Sequence, residues 1–552
     1  MGSKRKRPSS AGLSQKANKK KGTSLLTIKE IQEYGDQIIS SKKYNSFVPL
    51  IKQLQDVIES LGTTANEEYE MCGRKIALVL FQCFQKVAKD HMLVSKKSYD
   101  ENKSLIVKWL IEKYQSFKDI LLRLLKYKLT YLTSLQIDAL ELYLNLIKVE
   151  SHFLKPSVHE FYFPTSTYQS LVLALLQSQN GDIVADGSSD NFCIIEFIEI
   201  FKDYWDLQFY LNKSLEQVLS EWNSNKNKEE LRLIFANYYS IIKVPLLFKE
   251  SSDELKVQKT WIESELPSIA YKSSSFKSNY QNSLLTLLSF PLTSLQYKGI
   301  LLILHKRIIP YLTKPERLMD FLTDSYDAQD DAIVPILALN SLYELMKRYN
   351  LEYPDFYTKL YSLLTPDLLS TRYRSRFFRL CDLFLSSTHL SSKLIASFIK
   401  RLSRLSLTAS APSIVIIIPF VYNLLRRHPS CMVLIHNIAS SKATSYTDPY
   451  DNQETNPLQT KAMDSSLWEL ETIMSHYHPN IATLAKIFGE PFRKNSYNME
   501  DFLDWSYVTL LESEKTRNYK GLVALEFESF DKLFVDEDES VATSSYVTNW
   551  SL

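Results

Sequence analysis

The sequence predicts an all-α fold, an irregular α-solenoid of HEAT- or armadillo-like helical hairpins with disordered termini, and three observations predict it. Apolar residues recur three and four positions apart along most of the chain. No comparable stretch alternates apolar and polar residues as a strand does. The breaks between periodic segments, such as 181–191 and 223–228, are short and polar. No clean fixed-length self-similarity accompanies them, so the repeat is expected to be irregular. At 552 residues the chain suits several domains or an extended repeat better than one compact core.

Residues 1–26 carry eight Lys or Arg and no acid, so the remainder sums to −6 against a whole-chain charge of +2. Too few apolar residues are present there to build a core, and a disordered basic tail is expected. Lys4, Arg5, Lys6 and Arg7 form one cluster, and Lys19, Lys20 and Lys21 a second about a dozen residues later. This spacing resembles a bipartite nuclear-import signal, and the same lysines suit RNA phosphates.

Order is expected from Thr27, where Thr27-Ile28-Lys29-Glu30 reads as a capping box. Leu50, Leu54, Val57, Ile58 and Leu61 mark one helical stripe. Ile76, Val79, Leu80, Cys83, Phe84 and Val87 mark another, and Leu135, Ala139, Leu142, Tyr143 and Leu146 a third. Residues 27–245 thus read as an N-terminal helical repeat domain. A linker is expected over 246–280, where Glu250-Ser251-Ser252-Asp253 and Lys272-Ser273-Ser274-Ser275 interrupt the pattern. A second domain follows over 281–515, broken by a Ser/Thr/Asn/Asp-rich stretch at 439–463 that reads as a long exposed loop. In the remaining 516–552, large apolar residues alternate with acids and precede Asp536-Glu537-Asp538-Glu539.

Composition narrows the chemistry. Only 11 glycines occur, none between Gly299 and Gly489, and neither glycine-rich phosphate loop motif is present. Backbone approach to phosphates needs glycine, so a nucleotide-fuelled enzyme is disfavoured. Five scattered cysteines in apolar surroundings read as reduced core thiols, with no disulfide framework or zinc pair. The apolar run 414–422 contains Pro419 and is too short to span a bilayer, and the chain reads as soluble. His476 and His478 lack the spacing and the third ligand of a metal site, and read as a helix cap or packed turn. No nucleophile signature accompanies the nine histidines, so neither catalytic residues nor cofactors are expected.

The most specific wording lies near the carboxyl end. Leu467, Leu470, Met474 and Tyr477 are helically spaced, Pro479 both stops that helix and suits the start of another, and Ile481, Leu484, Ala485 and Phe488 form a second stripe. This helical hairpin, with Ser466-Leu467-Trp468-Glu469-Leu470 and His476-Tyr477-His478-Pro479-Asn480, resembles the CCAAT-binding-factor-like domain of the nucleolar complex (Noc) family. Upstream blocks, among them Asp320-Phe321-Leu322-Thr323, Leu351-Glu352-Tyr353-Pro354, Tyr373-Arg374-Ser375-Arg376-Phe377-Phe378 and Phe398-Ile399-Lys400-Arg401-Leu402, resemble the branch of that family serving the small ribosomal subunit. The likeness covers roughly 281–515 and departs from the family wording after Tyr326, at Asp327-Ala328-Gln329-Asp330-Asp331.

The resemblance implies a non-enzymatic scaffold in the nucleus and nucleolus. It implies a stable complex with nucleolar protein fourteen inside the small-subunit processome, beside other processome proteins, and a need for the protein in pre-rRNA processing and in maturation or export of the pre-subunit. Pre-ribosomal RNA lies nearby in such a particle, with direct contact left open, and no membrane is involved. The alternative is a nuclear-transport or transcription-related helical-repeat adaptor. Candidate contacts to a partner or RNA are Arg372, Arg374, Arg376, Lys400, Arg401 and Arg404, whose competing reading is a set of solvated or salt-bridged cations beside core phenylalanines. Trp468 and Tyr477 join them from the signature, Trp468 reading as a core anchor or an interface residue. Phe527, Phe530 and Phe534 join them from the tail, as apolar residues in search of a groove.

Overall fold

Helix follows helix because nearly every segment carries one apolar stripe and must bury it against the next. The structure is a computed structural model that describes residues 26–516, apart from 62–66, 95–100, 129–133, 156–160, 214, 264, 329–330, 350–352, 354 and 437–446. The import-signal residues Lys4 to Lys21 and the tail residues Phe527, Phe530 and Phe534 lie outside the described residues. Among the described residues there is no strand, only an isolated bridge between Ile183 and Ser189.

The first helices are α1 (Ile28–Ser41), α2 (Phe47–Leu61), α3 (Glu67–Lys89), α4 (Glu101–Lys126) and α5 (Ser134–Phe153). The Thr27–Glu30 capping box opens α1 as its residues predict. Packing is sequential: α3 lies against α1, α2 and α5, and α4 against α2 and α5. Among the stripe residues read from the sequence, Leu54, Ile76, Phe84, Leu135 and Tyr143 are buried. Phe47, Phe84 and Phe117 stack through this layer at ring separations of 4.5 and 5.4 Å.

Next come α6 (Thr165–Leu176), α7 (Phe192–Phe201), α8 (Trp205–Leu211), α9 (Leu215–Asn225), α10 (Lys228–Ile242), α11 (Ser252–Lys256) and α12 (Ser273–Leu288). The stretch 246–280 is not a linker. Phe248, Leu255, Trp261, Ile262, Leu266, Ala270 and Phe276 are all buried. The Trp261 indole N–H donates to the Leu144 carbonyl at 2.9 Å, and the Trp205 indole N–H to the Ala270 carbonyl at 3.1 Å. Buried Asp206 accepts the backbone N–H groups of Trp261 and Ile262 at 2.8 and 3.0 Å. Burial pushes its carboxyl up to about 6, although these amides favour the charged form. Spaced aromatics do the anchoring while the intervening Ser, Lys and Glu point outward, which is why local composition suggested a break. One core consequently runs from Ile31 to Leu510.

The loop 181–191 is equally ordered. Gly187 sits at φ +83°, and an added Cβ would lie 2.8 Å from the backbone of Leu295 and Gln296. Those residues open α13 (Ser294–Ile303), whose Gly299 faces the Asp186 carbonyl so closely that a Cβ would collide with it.

The remaining helices are α14 (Met319–Tyr326), α15 (Ile333–Tyr349), α16 (Phe356–Ser362), α17 (Pro366–Ser370), α18 (Arg374–Phe384), α19 (Ser392–Ser406), α20 (Ala411–Arg427), α21 (Trp468–Ile473), α22 (Pro479–Ala485), α23 (Glu500–Leu503) and α24 (Tyr507–Thr516). Helix α20 runs through Pro419, and every residue from Ala411 to Leu425 is buried. No described helix is long and apolar enough to cross a membrane. All five cysteines are free and buried, and burial pushes the Cys83 and Cys193 thiols up to about 12.

Candidate functional site

The signature hairpin is built on α19. Along that helix Ile395, Ile399 and Leu402 face the core, while the small residues Ala396, Ser397 and Ser403 flank Lys400 and leave room for it to turn inward. Lys400 is fully buried. Its ammonium lies 2.7 Å from Glu469, itself fully buried at the start of α21, and 2.9 Å from Asp448. It also donates to the Ser466 carbonyl at 2.6 Å. Arg404, one turn on, reaches the same two carboxylates at 3.2 and 2.9 Å. Two cations and two anions balance, which is what allows such a cluster to be buried.

Asp448 organises the cluster. Burial opposes its charge, but hydrogen bonds from the Ser465 hydroxyl at 2.5 Å, Lys400 and the Trp468 indole at 3.0 Å outweigh that and hold its carboxyl down to about 2. Burial pushes Glu469 the other way, above the usual carboxylate range, with Lys400 opposing. The stretch expected as a long exposed loop therefore does structural work over its described part, 447–463. Tyr450, Thr460 and Ala462 are buried, and the Tyr450 and Tyr361 hydroxyls meet at 2.8 Å. Short polar side chains bridge backbone there, a pattern indistinguishable by composition from a solvated loop.

Trp468 is 36% exposed and so is a rim residue rather than a core anchor. Its ring carries the Arg404 guanidinium 4.8 Å above it. Helix α21 ends at Ile473, earlier than the stripe suggested, and Tyr477 stands 81% exposed in the turn. Pro479 opens α22, where the His478 ring accepts the Asn480 N–H at 3.3 Å as a cap. Beside this hairpin a mixed cleft of about 450 Å³ is lined by Ile435, Ser466, Trp468, Glu471, Met474 and Phe488.

Most of the candidate cations are staples rather than free contacts. Arg374 donates to the carbonyls of Leu369 and Trp505, tying α18 to the carboxyl-terminal helices. Arg401 grips the Asn452 carbonyl and side chain, both at 2.6 Å, and the Leu364 carbonyl at 3.2 Å. Lys400 and Arg404 belong to the ion cluster. Arg376 is half-buried with an inward nitrogen unpaired, and burial lowers its basicity. Arg372 alone of the six is exposed. Arg379, read from the sequence with the same arginine group, makes a bidentate pair with Glu500 at 2.7 and 2.6 Å. Sequence reading placed Glu469 in the signature wording and Asp448 in a turn, and missed that both pair with Lys400 and Arg404. The available signal was the lysine set among small residues on an otherwise apolar helix face.

Helices stapled by buried ion pairs, with aromatic groups exposed at one hairpin, make a helical scaffold rather than a set of converging reactive groups. A family model described as the CBF/Mak21 family matches residues 335–485, and a second, nucleolar complex protein 4-like TPR repeats, matches residues 20–225. The chain is 41% identical to nucleolar complex protein 4 of Saccharomyces cerevisiae, over 94% of this chain and 98% of that one. It is 34% identical to nucleolar complex protein 4 homolog B of Xenopus laevis, over 76% of this chain and 77% of the relative, and 36% identical to the Gallus gallus homolog over 64% and 68%. The chain belongs to the nucleolar complex protein 4 family. It is a nucleolar protein of ribosome biogenesis, built as an all-α solenoid.

Proposed function

We propose that this chain is a non-enzymatic scaffold of the small-subunit processome, bound stably to nucleolar protein fourteen and needed for pre-rRNA processing and for maturation or export of the pre-subunit. The observation that carries this is the near end-to-end likeness to the yeast nucleolar complex protein 4. The physical design supports it. A chain of helices stacked on one continuous core offers a long surface to partners. The charged groups converging at the hairpin neutralise one another, as structural groups do, rather than facing a cleft where a substrate is transformed.

Depleting the protein in its host and following ribosomal RNA tests the assignment. Small-subunit RNA should fall and its unprocessed precursors accumulate, with large-subunit RNA maintained. A selective loss of large-subunit RNA, or free protein found with a small GTPase and normal ribosomal RNA, would assign it elsewhere.

A further inference from the structure

Helix α24 ends the described chain and presents two unlike faces. Leu510 is buried against the preceding helices, whereas Tyr507, Val508 and Leu511 are 56, 63 and 64% exposed. Positions i, i+1 and i+4 share one side of a helix, so these three make a single apolar stripe. The helix is also fixed in place. The Asn480 amide at the start of α22 donates to Ser513 at 3.2 Å and Glu514 at 2.9 Å, which stops α24 from rolling its apolar side inward.

We propose that this stripe is covered by the chain's own segment 522–534, which folds back on α24 in a self-docking contact. The segment has the right chemistry: Leu522, Val523, Leu525, Phe527, Phe530, Leu533 and Phe534 crowd into it, too many for a solvated tail and too few for a core of their own. It also has the reach. Nine steps separate Thr516 from Leu525, about 30 Å when extended, while the ten-residue helix is about 15 Å long. Glu526, Glu528 and Asp531 alternate with the apolar groups, which gives the segment one apolar side to lay on the stripe and one charged side to leave in water. Tethering supplies the rest, because a short linker holds the segment at an effective concentration on the order of millimolar, enough to keep a weak contact closed.

The test uses the full chain with Val508 replaced by p-benzoylphenylalanine, as a dilute mixture of isotopically heavy and light protein. Irradiation should link position 508 to peptides from 522–534 of the same isotope, and Phe527→Ala, Phe530→Ala and Phe534→Ala together should cut that yield several-fold. The same triple variant should also show several-fold faster amide exchange across 507–516, with unchanged exchange in the buried α20. Links that mix isotopes would make the occupant a second copy. Links that form only to a co-purified protein would make it a partner, and links to neither, or a yield and exchange rate indifferent to the triple change, would leave the stripe uncovered. Each of these overturns the proposal.

Discussion

Lys400 shows how much one side chain decides here. Its ammonium is buried, and it neutralises Glu469 and Asp448 while closing the Ser466 carbonyl. Lys400→Met should destabilise the protein by about 3–5 kcal/mol, because Glu469 is then left buried with only Arg404 beside it. Lys400→Met with Glu469→Met should recover much of that loss. Chemical denaturation of both variants checks this, and equal losses would show that the pair itself, not the stranded charge, matters. His305 supplies a pH dependence. Burial, with Arg376 and Lys306 nearby, lowers its pKa from 6.5 to about 4. A folded-state pKa below the unfolded one means that the unfolded chain takes up the proton first. The contribution is therefore full above about pH 6.5 and lost as pH falls through about 4. Relative to His305→Gln, the wild type should lose stability between those values, and a gap between the two that ignores pH would remove His305 from the account.

At the scale of elements, the helices were legible because burial follows a period that the sequence displays. Leu50, Leu54, Val57 and Ile58, or Ile76, Leu80, Cys83 and Phe84, can be read as faces without knowing their neighbours. What was not legible is what closes between elements. Trp261 finds a carbonyl in α5, Asp448 finds Lys400 from about fifty residues away in sequence, and both sit in stretches whose local composition is that of a loop. Arg374 and Arg401 looked like a basic strip for the same reason, since their backbone partners carry no sequence signal. Glycine behaves similarly. Gly187 and Gly299 let the 181–191 loop lie on α13, so Gly299→Ala should cost about 1–3 kcal/mol through the Asp186 carbonyl it would strike. A calorimetric melt reads the effect, and an unchanged or raised Tm would mean that the loop is not seated there.

For the whole molecule, one core from end to end makes partner binding and stability properties of the same object. Residues 1–25 carry eight Lys or Arg, no acid and few large apolar residues, so deleting them should leave melting unchanged and reduce nuclear accumulation of a tagged protein. Full nucleolar accumulation of the deletion would show that the basic clusters are dispensable for import. A stable scaffold component of small-subunit precursors, as proposed for this chain, should travel with them. Affinity purification of the tagged full chain from a gradient, with protein and RNA identified together, tests this. The predicted result is recovery from large pre-ribosomal fractions with nucleolar protein fourteen in comparable amount and with small-subunit precursor RNA. Recovery from light fractions alone, without that partner and without precursor RNA, would contradict it.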